Sequence, residues 1–354
     1  MTSILRGLAC ALLLLAACIA NTEGSERQNL VLIGTGGTIA GAGGSSSSTS
    51  IYKSAVLAVD KVIAAVPEIQ QVANIKSEQI FQIGSESFNN ERLLQLARRV
   101  SQLLKSDEVD GIVIMHGTDT IEETSYFLNL TLKSSKPVVL VGSMRPGTAL
   151  SADGPLNLYN AVVVAASKEA AGKGTLVVMN DEIHSARDVT KTNSLKVESL
   201  KSLYGPLGMV IESQVRFYRA PSRPHTLQTD FDIEQIQSLP EVNIVYTYGN
   251  MNRIPYDAYV AAGTKAIVHA GFGNGSIPDY LDAALKEVRA KGVFVVRTTR
   301  TGSGAVVRNG ETNDDENDYI VVDDQNPAKA RLLMTLALTK TSDTHELQRI
   351  FWKY

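Results

Sequence analysis

Short apolar runs alternate along the chain with longer segments in which apolar residues recur every three or four positions. Continuous short runs are typical of buried strands, whereas the longer spacing is typical of helices that pack one face on a sheet. Seven runs predict strands, at residues 30–33, 111–115, 138–141, 176–179, 244–248, 266–268 and 293–296. Strands that alternate with helices in this way predict an α/β fold with parallel sheets.

Three helices are marked by a clear face or a clear end. The apolar residues at 93–104 lie on one helical face. Thr120 followed by Glu123 matches a capping box, which predicts that a helix begins directly after Thr120. A third helix is predicted at residues 278–290, because proline favours a helix start and Gly292 favours a helix end.

The chain has 354 residues, which corresponds to about two domains at roughly 150 residues each. Three prolines between residues 221 and 240 bracket a polar stretch, and a new series of strands and helices follows it. We therefore expect one domain at residues 25–219, a linker at 220–240 and a second domain at 241–354. Each domain is expected to contain a largely parallel sheet flanked by helices.

Charge and cysteine content exclude several classes of protein. The 34 Lys and Arg residues against 37 Asp and Glu residues give a net charge of −3, without a basic run that could follow a phosphate backbone. Nucleic acid is therefore not expected as a partner. Both cysteines, Cys10 and Cys18, lie near the amino terminus. The rest of the chain consequently offers no thiol for disulfides, for zinc ligation or for catalysis.

The amino terminus has the order of a secretory signal peptide. Arg6 precedes an apolar run at residues 8–17, and a small-x-Ala pattern ends at Ala20. We expect residues 1–20 to be removed on export to the bacterial periplasm. The run is shorter than the ~20 residues of a transmembrane helix, so no integral membrane span is expected. The residues up to Cys18 also match a lipoprotein box, in which case a lipid on Cys18 would anchor the protein.

The residues directly after the predicted strands are polar, and ligands bind at these positions in parallel sheets. GTGGT at 34–38 follows the first strand, and HGTDT at 116–120 follows the second. A dinucleotide fingerprint would need glycine in place of Ile39, and the sequence contains no GxxxxGK[ST] loop, no HExxH pair and no GxSxG elbow. Nucleotide-binding, zinc-hydrolase and serine-hydrolase interpretations are therefore disfavoured.

Threonine hydroxyls remain as candidate nucleophiles. A hydroxyl attacks a carbonyl only when another group removes its proton and backbone N–H groups stabilise the oxyanion. Thr38 and Thr118 each follow a glycine that would let a substrate approach the backbone. A purely structural interpretation is also possible, in which Gly36 and Gly37 form only a tight turn and Asp119 only caps the next helix. The residue pattern by itself leaves both interpretations open.

Two long motifs resemble those of the bacterial type II asparaginases. They are TGGTIAG at residues 35–41 and HGTDTIEET at residues 116–124, in the order that the family has. Shorter matches follow at residues 144–146, 151–154, 187–191 and 273–275, so the resemblance covers essentially the whole chain after the signal peptide. Within the family, residues 84–87, 141–147 and 346–352 are most similar to the periplasmic glutaminase-asparaginases.

This resemblance implies an asparaginase-like fold and hydrolysis of the side-chain amides of L-glutamine and L-asparagine, with neither metal nor cofactor. Thr38 is expected to be the nucleophile that forms an acyl-enzyme, and Tyr52 is expected to close over it. Thr118, Lys191 and Asp119 are expected to form a second catalytic group, in which Lys191 takes a proton relayed through Thr118. The family is also interpreted with Thr118 as the first nucleophile, and the sequence leaves this order open.

The resemblance also implies how the substrate is held. Ser85 and the backbone around Thr118 would face the α-carboxylate, while Asp119 and Glu86 would face the α-ammonium, because charge-assisted hydrogen bonds are the strong ones. Members that prefer asparagine commonly carry glutamine in place of Glu86, whereas members with substantial glutaminase activity carry glutamate. We therefore expect both amides to be hydrolysed at comparable rates, with an asparagine-preferring asparaginase as the alternative.

Two further residues imply an assembly. Asn274 and Glu311 match positions that reach the active site of a neighbouring subunit in this family. A homo-oligomer, arranged as a dimer of intimate dimers, is therefore expected. The alternative from another class is a periplasmic amino-acid-binding protein, which is also an exported two-domain α/β protein. Such a protein would have no use for Thr38 as a nucleophile or for Lys191 as a proton acceptor.

Overall fold

The computed structural model describes residues 27–354, which form two main β-sheets with helices around them. The predicted signal peptide at residues 1–20, together with Cys10 and Cys18, lies outside the described residues. Among the helices between residues 27 and 354, none combines the length and the apolar character that a membrane crossing requires.

The described residues contain fourteen strands and ten α-helices. The strands are β1 (Asn29–Gly36), β2 (Asn74–Ile83), β3 (Gly111–Met115), β4 (Val138–Val141), β5 (Thr175–Met179), β6 (Glu182–Ser185), β7 (Val189–Lys191), β8 (Leu200–Ser202), β9 (Gly208–Ile211), β10 (Gln214–Phe217), β11 (Val242–Tyr246), β12 (Ala266–Gly271), β13 (Phe294–Thr299) and β14 (Ile320–Val321). The α-helices are α1 (Val59–Ala64), α2 (Ile69–Val72), α3 (Asn90–Leu104), α4 (Ile121–Thr131), α5 (Gly154–Ala166), α6 (Ile254–Ala261), α7 (Asp279–Ala290), α8 (Asp314–Asn317), α9 (Pro327–Ala337) and α10 (Thr344–Lys353). Short 3-10 helices lie at Thr38–Ala40, Ser85–Ser87, Lys168–Ala170, Thr226–Gln228 and Ile233–Gln235.

The first sheet has eight strands in the order β10-β9-β6-β5-β4-β3-β1-β2. Strands β2, β1, β3, β4 and β5 run parallel, and β6, β9 and β10 continue the sheet in antiparallel pairs. The register pairs Leu30 of β1 with Ile75 of β2 on one side and with Gly111 of β3 on the other. Because these three strands are parallel, the loops that follow them meet at one edge of the sheet.

The second sheet has four parallel strands in the order β11-β12-β13-β14. Strands β7 and β8 form a separate antiparallel pair in which Lys191 lies opposite Leu200. Both main sheets are thus largely parallel and flanked by helices, which confirms the predicted α/β class.

Both faces of the central strands of the first sheet are buried. Val31 and Ile33 of β1 belong to a buried cluster with side chains of α3 and α4. Leu30 and Leu32, which point to the opposite face, belong to a second cluster with side chains of α1 and α5. This burial on both faces is the reason that the central strands appear in the sequence as continuous apolar runs.

Helices α9 and α10 connect the two sheets. Leu333 of α9 and Phe351 of α10 are fully buried in the cluster that covers the α3 and α4 face of the first sheet. The same cluster contains Val268 and Val296 of the second sheet. Helix α9 is therefore in contact with both halves of the molecule.

All seven predicted strands and all three predicted helices are present, although their ends move by a few residues. The run predicted at 244–248, for example, is β11 at Val242–Tyr246. The pattern missed β2, whose ten residues include six polar ones and lie at the edge of the first sheet. It also missed all five short antiparallel strands, β6 to β10, and the two-residue strand β14.

The segment predicted as a linker is packed against the core. Phe231 and Ile233 are buried in the cluster beneath α3 and α4. The Asp230 N–H donates to the hydroxyl oxygen of Tyr354, the last residue, at 2.7 Å. The division into domains at residues 25–219 and 241–354 stays a prediction.

Candidate active site

The loops after β1, β2 and β3 enclose a cavity of about 280 Å³ at one edge of the first sheet. This volume is close to the lower end of small-molecule pockets, which begin near ~300 Å³. The predicted residues that line the cavity are Thr38, Tyr52, Ser85, Glu86, Thr118 and Asp119. The structure therefore brings residues from three separate segments of the chain to one small pocket.

Two glycines allow the loops after β1 and β3 to touch. Gly37 has a φ of +79°, and its N–H donates to the Ile83 carbonyl at 2.9 Å. A Cβ atom at this position would lie 2.5 Å from the Gly117 nitrogen, which is closer than a side chain tolerates. Direct contact between these backbones places Thr38 and Thr118, one residue further along each loop, on the wall of the same cavity.

Thr38 begins a 3-10 turn directly after β1 and is only partly buried. Its hydroxyl lies 2.7 Å from the Tyr52 hydroxyl, and either group can donate the hydrogen bond. Tyr52 lies at the base of a loop that is closed by a bridge between Ala42 and Lys53. The Tyr52 hydroxyl is therefore positioned to exchange a proton with Thr38.

Thr118 faces a second group that can exchange protons. The Lys191 Nζ donates to Thr118 Oγ1 at 2.9 Å and to Asp119 Oδ1 at 2.6 Å. Thr118 is only 4% exposed, and the Lys191 side chain is 18% exposed. A hydroxyl, an amine and a carboxylate thus form a connected series at the edge of the cavity.

Ser85 connects the β2 loop with the loop after β3. Its Oγ accepts a hydrogen bond from the Asp119 N–H at 3.2 Å, and its carbonyl accepts one from Thr120 Oγ1 at 2.9 Å. The predicted capping box is wrong for this reason, because the Thr120 hydroxyl points to Ser85 and does not cap α4. Glu123 pairs with Arg331 at 3.0 Å instead of reaching back to Thr120. Helix α4 nevertheless begins at Ile121, as predicted.

Two carboxylates give the cavity a negative rim. Glu86 is exposed, and its side chain folds over Gly84, where a Cβ atom would lie 2.6 Å from Glu86 Cδ. Asp119 presents the second carboxylate on the same cavity. Such a rim favours a cationic group on a small ligand. Within residues 27–354, no three His, Cys, Asp or Glu side chains come together as a metal site would require.

His116 lies beside the site and does not line the cavity. Its Nδ1 donates to the Gly117 carbonyl at 2.7 Å, so Nε2 accepts from the Thr124 hydroxyl at 3.0 Å. Burial lowers the pKa of His116 to about 4, which keeps the ring neutral at neutral pH. Both nitrogens have partners, and His116 is therefore a structural residue at the end of β3.

Asn274 and Glu311 do not line the cavity of the same chain. They lie on loops of the second sheet, where the Val307 N–H donates to Asn274 Oδ1 at 2.7 Å and the Ser276 hydroxyl donates to Glu311. A single chain thus brings together seven of the predicted site residues, counting Lys191, and leaves these two apart.

Three residues behind Lys191 were not predicted from the sequence. Glu122 accepts a hydrogen bond from the Lys191 N–H at 2.9 Å, and Asn326 donates to Glu122 at 3.3 Å. Lys329 is 3% exposed, and its ammonium donates to the Val189 carbonyl of β7, the strand that carries Lys191. Glu122 stands inside the second motif, which is a signal that could have found it. Asn326 and Lys329 show only the pattern of a helix start.

Comparisons with known proteins are consistent with this geometry. The family model described as "Asparaginase, N-terminal" matches residues 29–223, and the one described as "Glutaminase/Asparaginase C-terminal domain" matches residues 241–351. A protein named glutaminase-asparaginase from Pseudomonas fluorescens biotype A is 54% identical over 351 residues, which cover 98% of this chain and 97% of that protein. A probable periplasmic L-asparaginase from Haemophilus influenzae is 48% identical over 97% of both chains.

A solved structure gives the same result. The crystal structure of a probable cytoplasmic L-asparaginase from Campylobacter jejuni matches with a TM-score of 0.90 and 46% identity, covering 93% of this chain and all of that one. The likeness confirms the asparaginase-like fold and excludes the alternative of an amino-acid-binding protein. The chain belongs to the asparaginase family of amidohydrolases, as its two motifs predicted.

Proposed function

We propose that this enzyme hydrolyses the side-chain amides of L-glutamine and L-asparagine through a covalent threonine ester and releases ammonia. One observation carries the proposal: two threonine hydroxyls line a single cavity, and each is hydrogen-bonded to a group that can exchange a proton. The names of the relatives, glutaminase-asparaginase and L-asparaginase, support this class of substrate.

The first half of the reaction would form the ester. Thr38 Oγ1 attacks the carbon of the side-chain amide, and its proton passes through the Tyr52 hydroxyl to the leaving nitrogen. The C–N bond then breaks, ammonia leaves, and the acyl group stays on the Thr38 oxygen. The 2.7 Å separation of the two hydroxyls supports this transfer, because a proton acceptor must lie within hydrogen-bond distance.

The second half would hydrolyse the ester. In its amine form Lys191 accepts a proton that Thr118 relays from the attacking water, and Asp119 stabilises the ammonium that forms. The bond between the acyl carbon and the Thr38 oxygen breaks, Thr38 regains a proton, and the acid product leaves. The series of 2.9 Å and 2.6 Å hydrogen bonds supports these roles.

The same cavity would bind the amino-acid head group. The Ser85 hydroxyl and the backbone of Thr118 would hold the α-carboxylate, while Asp119 and Glu86 would pair with the α-ammonium. The negative rim formed by these two carboxylates supports that orientation. This arrangement leaves the side-chain amide free to reach Thr38.

The experiment that tests the proposal is a measurement of ammonia release from L-glutamine and L-asparagine, side by side, by the purified protein. Similar turnover on both substrates is the expected result. Turnover on asparagine alone would overturn the glutaminase part of the proposal and leave an asparaginase. No ammonia release from either substrate would overturn the proposed function as a whole.

Glu86→Gln is expected to lower kcat/KM for glutamine by about tenfold relative to asparagine, since discrimination by one contact in a pocket reaches about this size. The expectation comes from the family resemblance, since members that prefer asparagine commonly carry glutamine in place of Glu86. Glu91→Gln, which makes the same change of charge on the nearby helix α3, serves as the control. An equal drop on both substrates would show that Glu86 does not determine selectivity.

We also propose that the enzyme acts as a homo-oligomer, a dimer of intimate dimers, in which Asn274 and Glu311 complete the cavity of a neighbouring chain. Their absence from the cavity of their own chain supports this assembly. Light scattering on the active protein tests it, and full activity in a monomer would contradict it.

The compartment we propose is the periplasm, reached through the signal peptide at residues 1–20. One relative is named periplasmic and one structural neighbour is named cytoplasmic, so the amino-terminal sequence carries this proposal. Mass measurement of the exported protein would show cleavage after Ala20, or a lipid on Cys18. A full-length protein confined to the cytoplasm would overturn it.

A further inference from the structure

The strand that carries Lys191 is held by residues far away in the sequence. β7 is only three residues long, and its pairing with β8 supports one edge of it. Its other contacts come from the start of α4 and from the start of α9, about 70 and 140 residues distant. A three-residue strand has little rigidity of its own, so these contacts determine where it lies.

The first contact fixes the main chain of Lys191 itself. Its N–H donates to Glu122 Oε2 at 2.9 Å. The other carboxylate oxygen of Glu122 accepts a hydrogen bond from Asn326 Nδ2 at 3.3 Å, and the same amide lies 3.3 Å from the Thr190 hydroxyl oxygen. Asn326 thus orients the carboxylate that holds the backbone of Lys191.

The second contact involves carbonyls that lie two and four residues before Lys191. The Lys329 ammonium donates to the Arg187 carbonyl at 2.9 Å and also to the Val189 carbonyl. Lys329 is only 3% exposed, and burial lowers its pKa to about 8, so it still carries the proton that it donates at neutral pH. A buried ammonium that binds two main-chain carbonyls holds this segment firmly.

Asn326 also joins the two contacts. Its side-chain oxygen caps α9 by accepting from the Lys329 N–H at 2.9 Å, while its side-chain amide reaches Glu122. One residue therefore places the start of the helix and orients the carboxylate that holds Lys191. The amine at the end of the lysine must in turn lie 2.9 Å from Thr118 Oγ1.

We propose that Glu122, Asn326 and Lys329 are positioning residues for Lys191, through which the first turn of α9 sets the geometry of the proton relay. The inference rests on the proposed function, because it assigns these residues to the same relay. None of the three lines the cavity, so each acts through Lys191 and not on the substrate.

The decisive variant is Asn326→Ser. Serine is itself a good N-cap, so the helix start is preserved, but its short side chain cannot reach Glu122. We expect kcat for ammonia release to fall by at least about tenfold, because a displacement of ~1 Å in a catalytic group costs up to ~10²-fold. KM is expected to change less than about threefold, and both substrates are expected to lose the same factor.

The matched control is Asp343→Ser, which replaces the N-cap of α10, where Asp343 accepts from the Glu346 N–H at 2.8 Å. It should retain the wild-type kcat. Glu122 provides a second comparison, since Glu122→Gln keeps an oxygen acceptor for the Lys191 N–H and should retain more of kcat than Glu122→Ala. If Asn326 and Glu122 only stabilised the fold, kcat per folded molecule would be equal in Asn326→Ser, Asp343→Ser, Glu122→Gln and Glu122→Ala.

A double variant tests whether Asn326 acts through Lys191. In a Lys191→Met background, Asn326→Ser is expected to change kcat by less than about twofold, because residues of one unit are not additive. Full kcat in Asn326→Ser, with an active wild-type enzyme, would overturn this inference alone. An inactive wild-type enzyme would overturn the proposed function and this inference with it.

Discussion

Thr38→Ala is expected to lower kcat for ammonia release by a factor on the order of 10⁴ to 10⁶, the range seen when one member of a coupled catalytic unit is removed. Alanine has no oxygen that could form the ester, so the second hydroxyl of the cavity remains without an acyl group to hydrolyse. The fold should survive, because the change removes one hydrogen bond at a partly buried position, worth about 1 kcal/mol. Initial rates and thermal unfolding of the same preparation measure both quantities.

Thr38→Ser is the matched control for this prediction. It keeps the hydroxyl and removes only a methyl group, so it should retain far more activity than Thr38→Ala. Activity above a tenth of wild type in Thr38→Ala would show that Thr38 is not the nucleophile. Intact-mass analysis of Thr38→Ala after an acid quench also tests the order of attack, because an acyl group on Thr118 would mean that Thr118 attacks first.

Lys191→Met is expected to lower kcat by about 10³-fold or more, since methionine has a similar length but cannot accept a proton from Thr118. General acid–base groups contribute about 10²- to 10⁴-fold, and the loss of the amine also leaves Asp119 without its partner. Stability should change little, because the Lys191–Asp119 ion pair has one exposed member. The quantities to measure are kcat and the unfolding midpoint.

Lys201→Met is the control, because Lys201 lies on β8 beside β7 and its ammonium pairs with Glu198 on the surface. It should keep the wild-type kcat. Hydroxylamine offers a second test, since it attacks an ester without needing a base. Product formation should recover in Lys191→Met and not in Thr38→Ala. No recovery in Lys191→Met would place its defect in ester formation, against the role proposed here.

The sequence predicted the central strands because they are buried on both faces. Val31 and Leu32 point to opposite sides and are both apolar, so β1 stands out as an uninterrupted run. Strand β2 pairs on one side only and exposes much of its length. Its polar residues interrupt the apolar pattern, so the pattern did not predict it. Patterns of hydrophobicity identify elements by burial, and an edge strand lacks that signal.

The residues of the candidate site also fall into two groups, those that the sequence could identify and those that it could not. Thr38 and Thr118 follow strands and stand next to glycines, so the sequence alone could identify them as candidate site residues, although it left their role open. Asn326 and Lys329 act through contacts with residues more than 130 positions away, and nothing near them in the sequence indicates this. A buried lysine on α9 has the same sequence signature as a surface lysine. Only the fold shows that it is enclosed.

The buried neutral ring of His116 has a consequence for the enzyme in acid. Its pKa is about 4 in the folded protein and near 6.5 in an unfolded chain, so between these values the unfolded state binds more protons. The neutral His116 ring therefore adds up to about 3 kcal/mol to the free energy of unfolding. This contribution is fully present above pH 6.5 and is lost as the pH falls towards 4. Burial lowers the pKa of His225 and His269 in the same direction. The urea midpoint should therefore be clearly lower at pH 4.5 than at pH 7, and an unchanged midpoint would contradict the burial of these rings. Side chains that do not line the candidate cavity thus contribute to the range of acidity in which the enzyme stays folded.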